Sequence, residues 1–274
     1  MMSQSVSTLP SMGILQFHQK TSPIRLERFA PHESLSPFVL HYWLVSWDLP
    51  GETIYLQDVI PNPCANLVVE KAGSGLYGVP DRIYTKRLTG RGRAFGVKFK
   101  PGGLYPYIRK PLAELRNSRM NIADAFPCDD SALCEAFRDS APADTLIRLS
   151  ADILSHQLPQ ADPIIHTVND IINDVKHTDT ITTVEQMCSN SGIHIRKLQR
   201  LFQQYVGVTP KWVIKLYRMQ NVAEQLDKGY SGGWMELALS QGYYDQPHFI
   251  RDFKSIIGVT PEQYVQSSLS AREQ

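Results

Sequence analysis

Two short arrays of side chains that can hydrogen-bond to nucleic acid lie in the second half of the sequence. Each array combines arginine and lysine with glutamine or histidine: Arg196, Lys197, Gln199 and Arg200 in the first, and Gln246, His248, Arg251 and Lys254 in the second. Such side chains pair with base edges in the major groove and with phosphate oxygens. We therefore predict that both arrays contact double-stranded DNA.

Other uses of these side chains remain open. Charged residues of this kind also form the solvated face of ordinary helices. Arg200 and Arg251 could instead form a structural ion pair or a phosphate clamp. His248 has no second histidine, cysteine or carboxylate at metal-ligand spacing in this interpretation, so neither a metal site nor a cofactor is predicted.

Local charge indicates where a polyanion would bind. The whole chain has 28 Lys+Arg and 27 Asp+Glu, a formal net charge of +1, so its overall balance favours no partner. Residues 193–218, however, hold six basic residues and no acidic one: Arg196, Lys197, Arg200, Lys211, Lys215 and Arg218. Among these, we predict phosphate contacts for Lys211 and Lys215.

The two arrays belong to an internal repeat. The tetrapeptide Gly-Val-Thr-Pro at 207–210 recurs at 258–261, an offset of 51 residues, and Arg200 matches Arg251 at the same offset. Each array follows a short helical pattern that ends at a glycine. Two helix-turn-helix units are therefore predicted, at about 180–206 and 233–257.

The connecting helix and the helix caps follow from local chemistry. A helix over 210–226 spans roughly 26 Å at 1.5 Å per residue, which suits major grooves about 34 Å apart on one face of B-DNA. Thr182 and Glu185 offer a capping box for the first unit. Asp245 is placed to cap the second array's helix.

The first half of the chain has the patterning of a β domain. From Pro37 to Gly103, Val, Tyr, Trp and Phe are frequent and turn residues interrupt them at short intervals, which favours an antiparallel barrel or sandwich. Candidate strands are 39–47, Asn66–Glu70, Tyr84–Thr89 and 94–100; candidate helices are 112–116, Ser131–Arg138 and 145–157. We expect an α+β multidomain chain: a β-rich domain at 20–157 with trailing helices, a linker at 158–163 and an all-α domain at 164–268.

The basic run at 82–110, with nine basic residues and no acidic one, has several interpretations. Lys98 or Lys100 could hold an anionic effector together with the backbone amides of 101–103. The run could instead meet the acidic stretch 111–162, or contact DNA. The remaining interpretation is an exposed strand face whose charges prevent edge pairing.

Aromatic residues and one cysteine in the β-rich half could also carry function. Tyr42, Trp43, Trp47 and Tyr55 fit either a barrel core or a ligand cage. Cys64 is the candidate nucleophile for a competing function, a DNA-tethered repair or modification enzyme, although a buried inert thiol is the alternative. A protein-binding adaptor is a third class, and the leading interpretation is not an enzyme.

Several other classes are disfavoured. The four cysteines form no C-x-x-C pair, so neither a zinc ribbon nor a dithiol redox motif is predicted. No apolar run approaches the roughly 18 residues of a membrane-spanning helix, and residues 1–20 lack a cationic start followed by an apolar stretch. We expect a cytoplasmic protein without a membrane partner.

The stretch 182–264 closely resembles the DNA-binding domain of AraC/XylS-family transcription regulators. The resemblance is carried by Leu-Gln-Arg-Leu-Phe at 198–202, Gly-Val-Thr-Pro at 207–210, Gln-Gly-Tyr at 241–243, His-Phe at 248–249, Phe-Lys at 253–254 and Gly-Val-Thr-Pro-Glu-Gln-Tyr at 258–264. It implies a sequence-specific regulator whose two deep helices enter adjacent major grooves. Pro247 departs from the family pattern at a usually polar position, and Met187-Cys188 replaces Leu-Ala.

The N-terminal half resembles the β-rich sensor region of some members of this family. The matching motifs are His-Tyr-Trp at 41–43, Trp-Asp-Leu-Pro at 47–50, Pro-Asn-Pro-Cys at 61–64, Tyr-Gly at 77–78 and Gly-Val-Lys-Phe-Lys-Pro-Gly-Gly at 96–103. This resemblance implies a cupin-like domain that binds a small effector, mediates homodimerisation, or does both, and it adds RNA polymerase as a candidate partner. The effector and the operator remain open.

Overall fold

The computed structural model describes residues 23–126, 129–230 and 232–272. Residues 20–22 of the predicted β-rich domain lie outside the described residues, as do the N-terminal segment 1–20 and Cys128. Within the described ranges, no helix has the length and apolar character needed to cross a bilayer.

The N-terminal half contains two antiparallel sheets, as the sequence predicts. The larger has six strands in the order β1-β2-β7-β4-β5-β8, and the smaller pairs β3 with β6. The strands of the described residues are β1 Ile24–Phe29, β2 Val39–Asp48, β3 Ile54–Val59, β4 Asn66–Glu70, β5 Gly73–Tyr77, β6 Tyr84–Thr89, β7 Arg91–Phe99 and β8 Arg119–Met120.

The two faces of the large sheet differ in composition. On β7, Phe95, Val97 and Phe99 point to one face and are fully buried in the core. The alternate residues Ala94, Gly96 and Lys98 point to the opposite face because successive side chains of a strand alternate. The helices that follow the strands pack on the Phe face, so the other face is left to form a cavity.

Two expectations for the strands need correction. Strands β1, β3, β5 and β8 are missed by the pattern; β1 interrupts its apolar residues with charged ones, β5 contains two glycines and β8 has only two residues. Strand β7 begins at Arg91 and not at 94, since Gly92 pairs with Trp47 on β2. The Gly-Arg-Gly stretch at 90–92 has turn composition, yet ladder pairing extends the strand through it.

Ten α-helices follow in the described residues. They are α1 Tyr105–Ile108, α2 Ser131–Arg138, α3 Ala143–His156, α4 Pro163–His177, α5 Val184–Ser191, α6 Ile195–Leu201, α7 Pro210–Asp227, α8 Trp234–Ser240, α9 Gln246–Ile257 and α10 Pro261–Arg272. Short 3-10 turns occupy Glu33–Leu35, Leu112–Leu115 and Ile122–Asp124, so the predicted helix at 112–116 is a single tight turn.

One apolar core extends from the β-rich half into the first helix-turn-helix unit. It joins Phe99 and Leu104 to Ile165, Phe202 and Val213. Helix α4 begins at Pro163, inside the predicted linker at 158–163, and the Asp162 side chain caps it by accepting the Ile164 amide at 2.9 Å. The domain boundaries stay a prediction, but the two halves pack as one body at this point.

A second core holds the other unit. Leu216 and Val222 of α7 pack there with Phe249 and Phe253 of α9. Ile60, from the segment that follows β3, belongs to this core, and Ile83 also lies against the second unit, because a Cβ on Gly258 would lie 2.7 Å from its side chain. The second unit therefore contacts the β-rich half at Ile60 and Ile83.

Candidate nucleic-acid interface and internal cavity

The first unit begins at a capping box one residue later than predicted. The Thr183 hydroxyl accepts the Gln186 amide at 3.2 Å, and Gln186 Oε1 accepts the Thr183 amide at 2.9 Å. Thr182 and Glu185 are therefore not the pair that caps α5. The helix starts at Val184, so Gln186 occupies its third position and is the side chain that can reach back.

The first array lies on the solvent side of α6. Arg196, Lys197, Gln199 and Arg200 are all exposed, whereas Leu198 is fully buried. His194 caps the helix, its side chain accepting the Arg196 amide at 3.4 Å. The turn that joins α5 to α6 contains Gly192 at φ +66°, a left-handed conformation that favours glycine. The array is thus presented on a short, capped helix.

A π-helical turn, Phe202–Val206, extends α6 and ends at Gly207. Gly207 has φ +91°, and a Cβ there would lie 2.7 Å from the Leu112 carbonyl oxygen. The end of the first unit thus lies directly against the turn Leu112–Leu115. No longer side chain fits this position without displacing one of the two backbones.

The second unit repeats this design. Asp245 caps α9 by accepting the His248 amide at 2.7 Å, which confirms the predicted cap. His248, Arg251 and Lys254 are exposed and Gln246 is half-buried. The second array therefore also faces solvent.

Asp252 ties the second array's helix to its neighbours. Its Oδ2 accepts a hydrogen bond from the Tyr243 hydroxyl at 2.8 Å and lies 3.4 Å from His248 Nε2. Its Oδ1 lies 3.5 Å from Lys215 Nζ on α7. Burial, together with this hydrogen bond, raises the pKa of Tyr243 and keeps its phenol protonated. The carboxylate thus fixes α9 against both α7 and the turn that precedes α9.

This geometry changes two predictions made from the sequence, one for His248 and one for Lys215. A carboxylate does stand one helical turn from His248, although the described residues form no cluster of three groups able to hold a metal ion. Lys215, predicted to contact phosphate, is half-buried and engaged with Asp252. Lys211 is exposed in the first turn of α7 and fits that prediction better.

Arg218 does not belong to the basic surface. Its guanidinium lies 4.3 Å from the centroid of the Tyr243 ring, and its Nε and Nη2 atoms are buried with no hydrogen-bond partner among the described residues. Burial lowers the pKa of this group. Four of the six basic residues of 193–218 are exposed, namely Arg196, Lys197, Arg200 and Lys211. The sequence shows how many basic residues this segment contains but not which of them are buried.

The β-rich half encloses a cavity of about 690 Å³ between its two sheets. The four buried polar side chains of that half, Arg28, His41, Gln57 and Lys98, all line it, each less than 10% exposed. Trp43 and Trp47 line it as well, whereas Tyr42 is buried in the core on the opposite face. Trp43 and Trp47 therefore fit the predicted ligand cage, and Tyr42 fits the predicted core. Tyr55 packs against a small separate cluster together with Trp47.

The basic run at 82–110 does not act as one feature. Lys98 lies in the cavity, and Lys86 Nζ pairs with Glu70 Oε1 at 2.7 Å. Arg93 donates to the Ala141 carbonyl at 2.8 Å and covers the end of α2. Lys100 does not line the cavity, and the Gly103 amide donates to the Lys100 carbonyl at 2.8 Å. The Gly103 amide is therefore already engaged, Pro101 has no N–H to offer, and the anion site at Lys100 stays a prediction that this cavity does not support.

Cys64 lies in the cavity wall, 5% exposed. Burial raises the pKa of its thiol, which disfavours the thiolate that a nucleophile needs. The structure therefore gives this cysteine no activated form.

Sequence reasoning missed Arg28, His41 and Gln57 as candidate site residues. The signal for His41 was available, because His41, Trp43, Val45 and Trp47 alternate along one strand and must share a face. Tyr244, 96% exposed in the turn before α9, was also missed. Nothing in the sequence marks it as exposed.

Comparison with known families divides the chain in the same way. Residues 187–267 match a family described as a helix-turn-helix domain. Residues 27–121 match a family described as a domain of unknown function, DUF6597. The first match covers both array helices, and the second covers most of the cavity wall.

Individual relatives are similar to parts of the chain. The "Probable thc operon regulatory protein" of Rhodococcus erythropolis is 25% identical over 162 residues, 58% of this chain and 42% of the relative. An HTH-type transcriptional regulator of Haemophilus influenzae is 29% identical over 84 residues, 31% of this chain and 28% of the relative. The chain thus spans less than half the length of these relatives.

Among solved structures, one similar chain is described as a probable AraC family transcriptional regulator from Rhodopseudomonas palustris CGA009. It is 25% identical, covers 38% of this chain and 97% of its own, and has a TM-score of 0.34.

Proposed function

We propose that this chain, whose C-terminal region is an AraC-type helix-turn-helix domain, is a sequence-specific DNA-binding transcription regulator. The observation that carries the proposal is the pair of exposed polar arrays on α6 and α9, joined by α7. Helix α7 has 18 residues and so is about 27 Å long. A spacer of this order suits two helices that enter successive major grooves.

The exposed residues divide by expected role. Arg196, Lys197, Gln199 and Arg200 would read one groove and Gln246, His248, Arg251 and Lys254 the next, with individual side chains shared between bases and phosphates. Lys211 would contact phosphate. Lys215 would act mainly by holding Asp252, and so would orient α9. Contacts with RNA polymerase and formation of a homodimer stay predictions from the family resemblance.

Selection of bound duplexes from a random library tests the proposal. The full chain should enrich one sequence class, and its affinity for that class should fall steeply with salt, because phosphate contacts release counterions. Enrichment of no class, with equal affinity for all duplexes, would overturn sequence-specific regulation. The variant Arg25→Ala, which changes an exposed arginine of β1 outside both arrays, is a matched control and should bind the selected duplex like the wild type.

A response to a small effector is the second part of the proposal. The cavity supports it, and Ile60 offers the connection, because this one side chain lines the cavity and packs in the core of the second unit. A ligand that displaces Ile60 would alter how α7 and α9 are held. The first unit, which shares the large core, would move less.

Truncation of Ile60 tests this connection. Ile60→Ala should weaken protection of the half-site bound by the second unit in a footprint while protection by the first unit persists. Leu56→Ala, at an exposed position on β3, is the control and should change neither. Equal protection of both half-sites by Ile60→Ala would contradict the connection.

A further inference from the structure

Strand register sorts the cavity wall into a basic end and an apolar end. Across β1, β2 and β7, Leu26 pairs with Val45 and Val45 with Ala94. Two residues further along the same face, Arg28 pairs with Trp43. In the next row, His41 pairs with Lys98, which also pairs with Asn66 of β4. Two buried cationic groups and an imidazole thus occupy adjacent rows.

The charges of the wall are mostly positive. The lining contains one carboxylate and five Lys or Arg side chains, namely Glu70 against Arg28, Arg82, Lys86, Lys98 and Arg119. Glu70 pairs with Lys86. Burial lowers the pKa of Lys98; Cys64 raises that pKa and Arg28 lowers it, and both effects are smaller than that of burial. The pKa of His41 falls to about 3 because its ring is buried and because the positive charges of Lys98 and Arg28 are near. Two basic side chains therefore lie close together at this end, and a carboxylate placed there would interact favourably with both.

The apolar part of the wall offers flat surfaces. A Cβ on Gly96 would lie 2.3 Å from the Trp43 ring, and a Cβ on Gly92 would lie 2.3 Å from the Trp47 ring. Each indole therefore lies over a glycine, and both line the cavity. The Trp43 Nε1 group donates to Asn66 Oδ1 at 3.3 Å, which helps to fix its ring. A planar apolar group could stack on surfaces of this kind.

We propose that this cavity binds an organic carboxylate with a planar apolar body, the carboxylate toward Arg28, His41 and Lys98 and the body against Trp43 and Trp47. The volume of about 690 Å³ lies within the usual range for small-molecule sites, roughly 300–1,000 Å³. Binding itself is independent of DNA; only its regulatory meaning rests on the proposed function. The site deepens that function by naming the class of effector.

Calorimetric titration of the full chain with a probe series tests the charge preference. The probes are biphenyl-4-carboxylate, its neutral carboxamide, and the cation biphenyl-4-methylammonium. The carboxylate should bind saturably and about tenfold or more tighter than the carboxamide, because each hydrogen bond to a charged group contributes roughly that factor. The cation should not bind. Equal affinity for carboxylate and carboxamide, tighter binding of the cation, or no saturable binding of any carboxylate up to millimolar concentration overturns the proposal.

Decanoate distinguishes a planar body from a flexible chain. Trp43→Leu should weaken biphenyl-4-carboxylate binding several-fold and change decanoate binding little. Equal loss for both carboxylates, or tighter binding of decanoate to the wild-type chain, contradicts stacking on the indoles.

Matched variants locate the carboxylate. Lys98→Met keeps an unbranched side chain without the ammonium group and should reduce carboxylate affinity about tenfold or more while leaving carboxamide affinity unchanged. Lys100→Met, on the same segment but outside the cavity, should bind both probes like the wild type. If Lys98→Met does not fold, Arg28→Met with Arg25→Met as its exposed control makes the same comparison, and the wild-type probe series stands without either.

The two proposals fail separately. A sequence-specific footprint without carboxylate binding contradicts only the ligand assignment. Carboxylate binding without a preferred DNA sequence contradicts only the regulator.

Discussion

The ring of Tyr105 lies 4.3 Å from the ring of Tyr205, measured between centroids. Tyr105 begins the first helix after the sheets, and Tyr205 lies in the π-helical turn that ends the first array's helix. The Tyr205 hydroxyl donates to Asp162 Oδ2 at 2.7 Å, and the Trp212 indole donates to the Asp81 carbonyl at 2.8 Å. The ring contact and the Trp212 hydrogen bond join the β-rich half to the helices of the first unit, and the Asp162 contact holds that unit against the start of α4.

Two variants separate the roles of Asp162 at this junction. Tyr205→Phe removes one hydrogen bond to a carboxylate and should lower the free energy of unfolding by about 1–2 kcal/mol. Asp162→Ala also removes the cap of α4 and should cost about 1 kcal/mol more. Urea denaturation followed by circular dichroism measures both. Equal losses would show that the cap contributes nothing.

Gly207 lies at the same junction, against the Leu112 backbone. Gly192→Ala and Gly207→Ala both place an alanine in a left-handed conformation, which costs about 1–2 kcal/mol. Only the second also brings a Cβ against the Leu112 carbonyl, since no atom lies within 4 Å of a Cβ at Gly192. Gly207→Ala should therefore be more destabilising by a further ~1–3 kcal/mol in the same denaturation experiment. A smaller loss at 207 than at 192 would show that the two halves are not in contact there.

The stability of the chain should depend on pH through His41. Its pKa falls from 6.5 to about 3 in the folded state because burial, Lys98 and Arg28 disfavour the charged ring. The unfolded chain therefore binds a proton between these values that the folded chain does not. The contribution of His41 to the free energy of unfolding is fully present above pH 6.5. It is lost as the pH falls toward 3, by up to about 1.4 kcal/mol per pH unit.

The measurement compares wild type with His41→Gln between pH 7 and 4.5. The wild type should lose stability faster than the variant below pH 6.5, because glutamine does not titrate. Parallel curves would place His41 in contact with solvent and contradict its burial in the cavity wall.

The arrays make distinct predictions for DNA binding. Arg200→Ala should weaken binding by about 1–3 kcal/mol and relax the preference at one position if Arg200 reads a base. Lys211→Ala should weaken all sequences alike if Lys211 contacts phosphate. Affinities across a library of single-base variants distinguish the two. Indistinguishable profiles would refute the assigned roles.

Much of the helical half can be predicted from the sequence because its rules are local. The repeat, the cap at Asp245 and the bounds of α8 all follow from residues close in the chain. The capping box was placed one residue early because two adjacent threonines and two adjacent acceptors, Glu185 and Gln186, satisfy the same pattern. Only the position of the first helical residue distinguishes them.

The missing parts depend on contacts between distant residues. Lys215 and Arg218 are basic residues in a segment that is typical of a DNA-binding surface. In the structure, Lys215 lies beside Asp252 and Arg218 packs against the Tyr243 ring, so neither is fully available to DNA. The cavity needs residues from β1, β2, β4 and β7 in one register, and four of the eight described strands could not be recognised from composition. Strand order, which no short motif encodes, places Arg28 near Lys98.

Hydroxyl-radical footprinting on a selected duplex tests most directly whether both units read one duplex. We expect two protected patches on the same face of the duplex, with centres about 10 base pairs apart. Only one of these patches should be lost when His248, Arg251 and Lys254 are together changed to alanine. A single patch, or loss of both patches in that variant with the fold intact, would contradict this expectation.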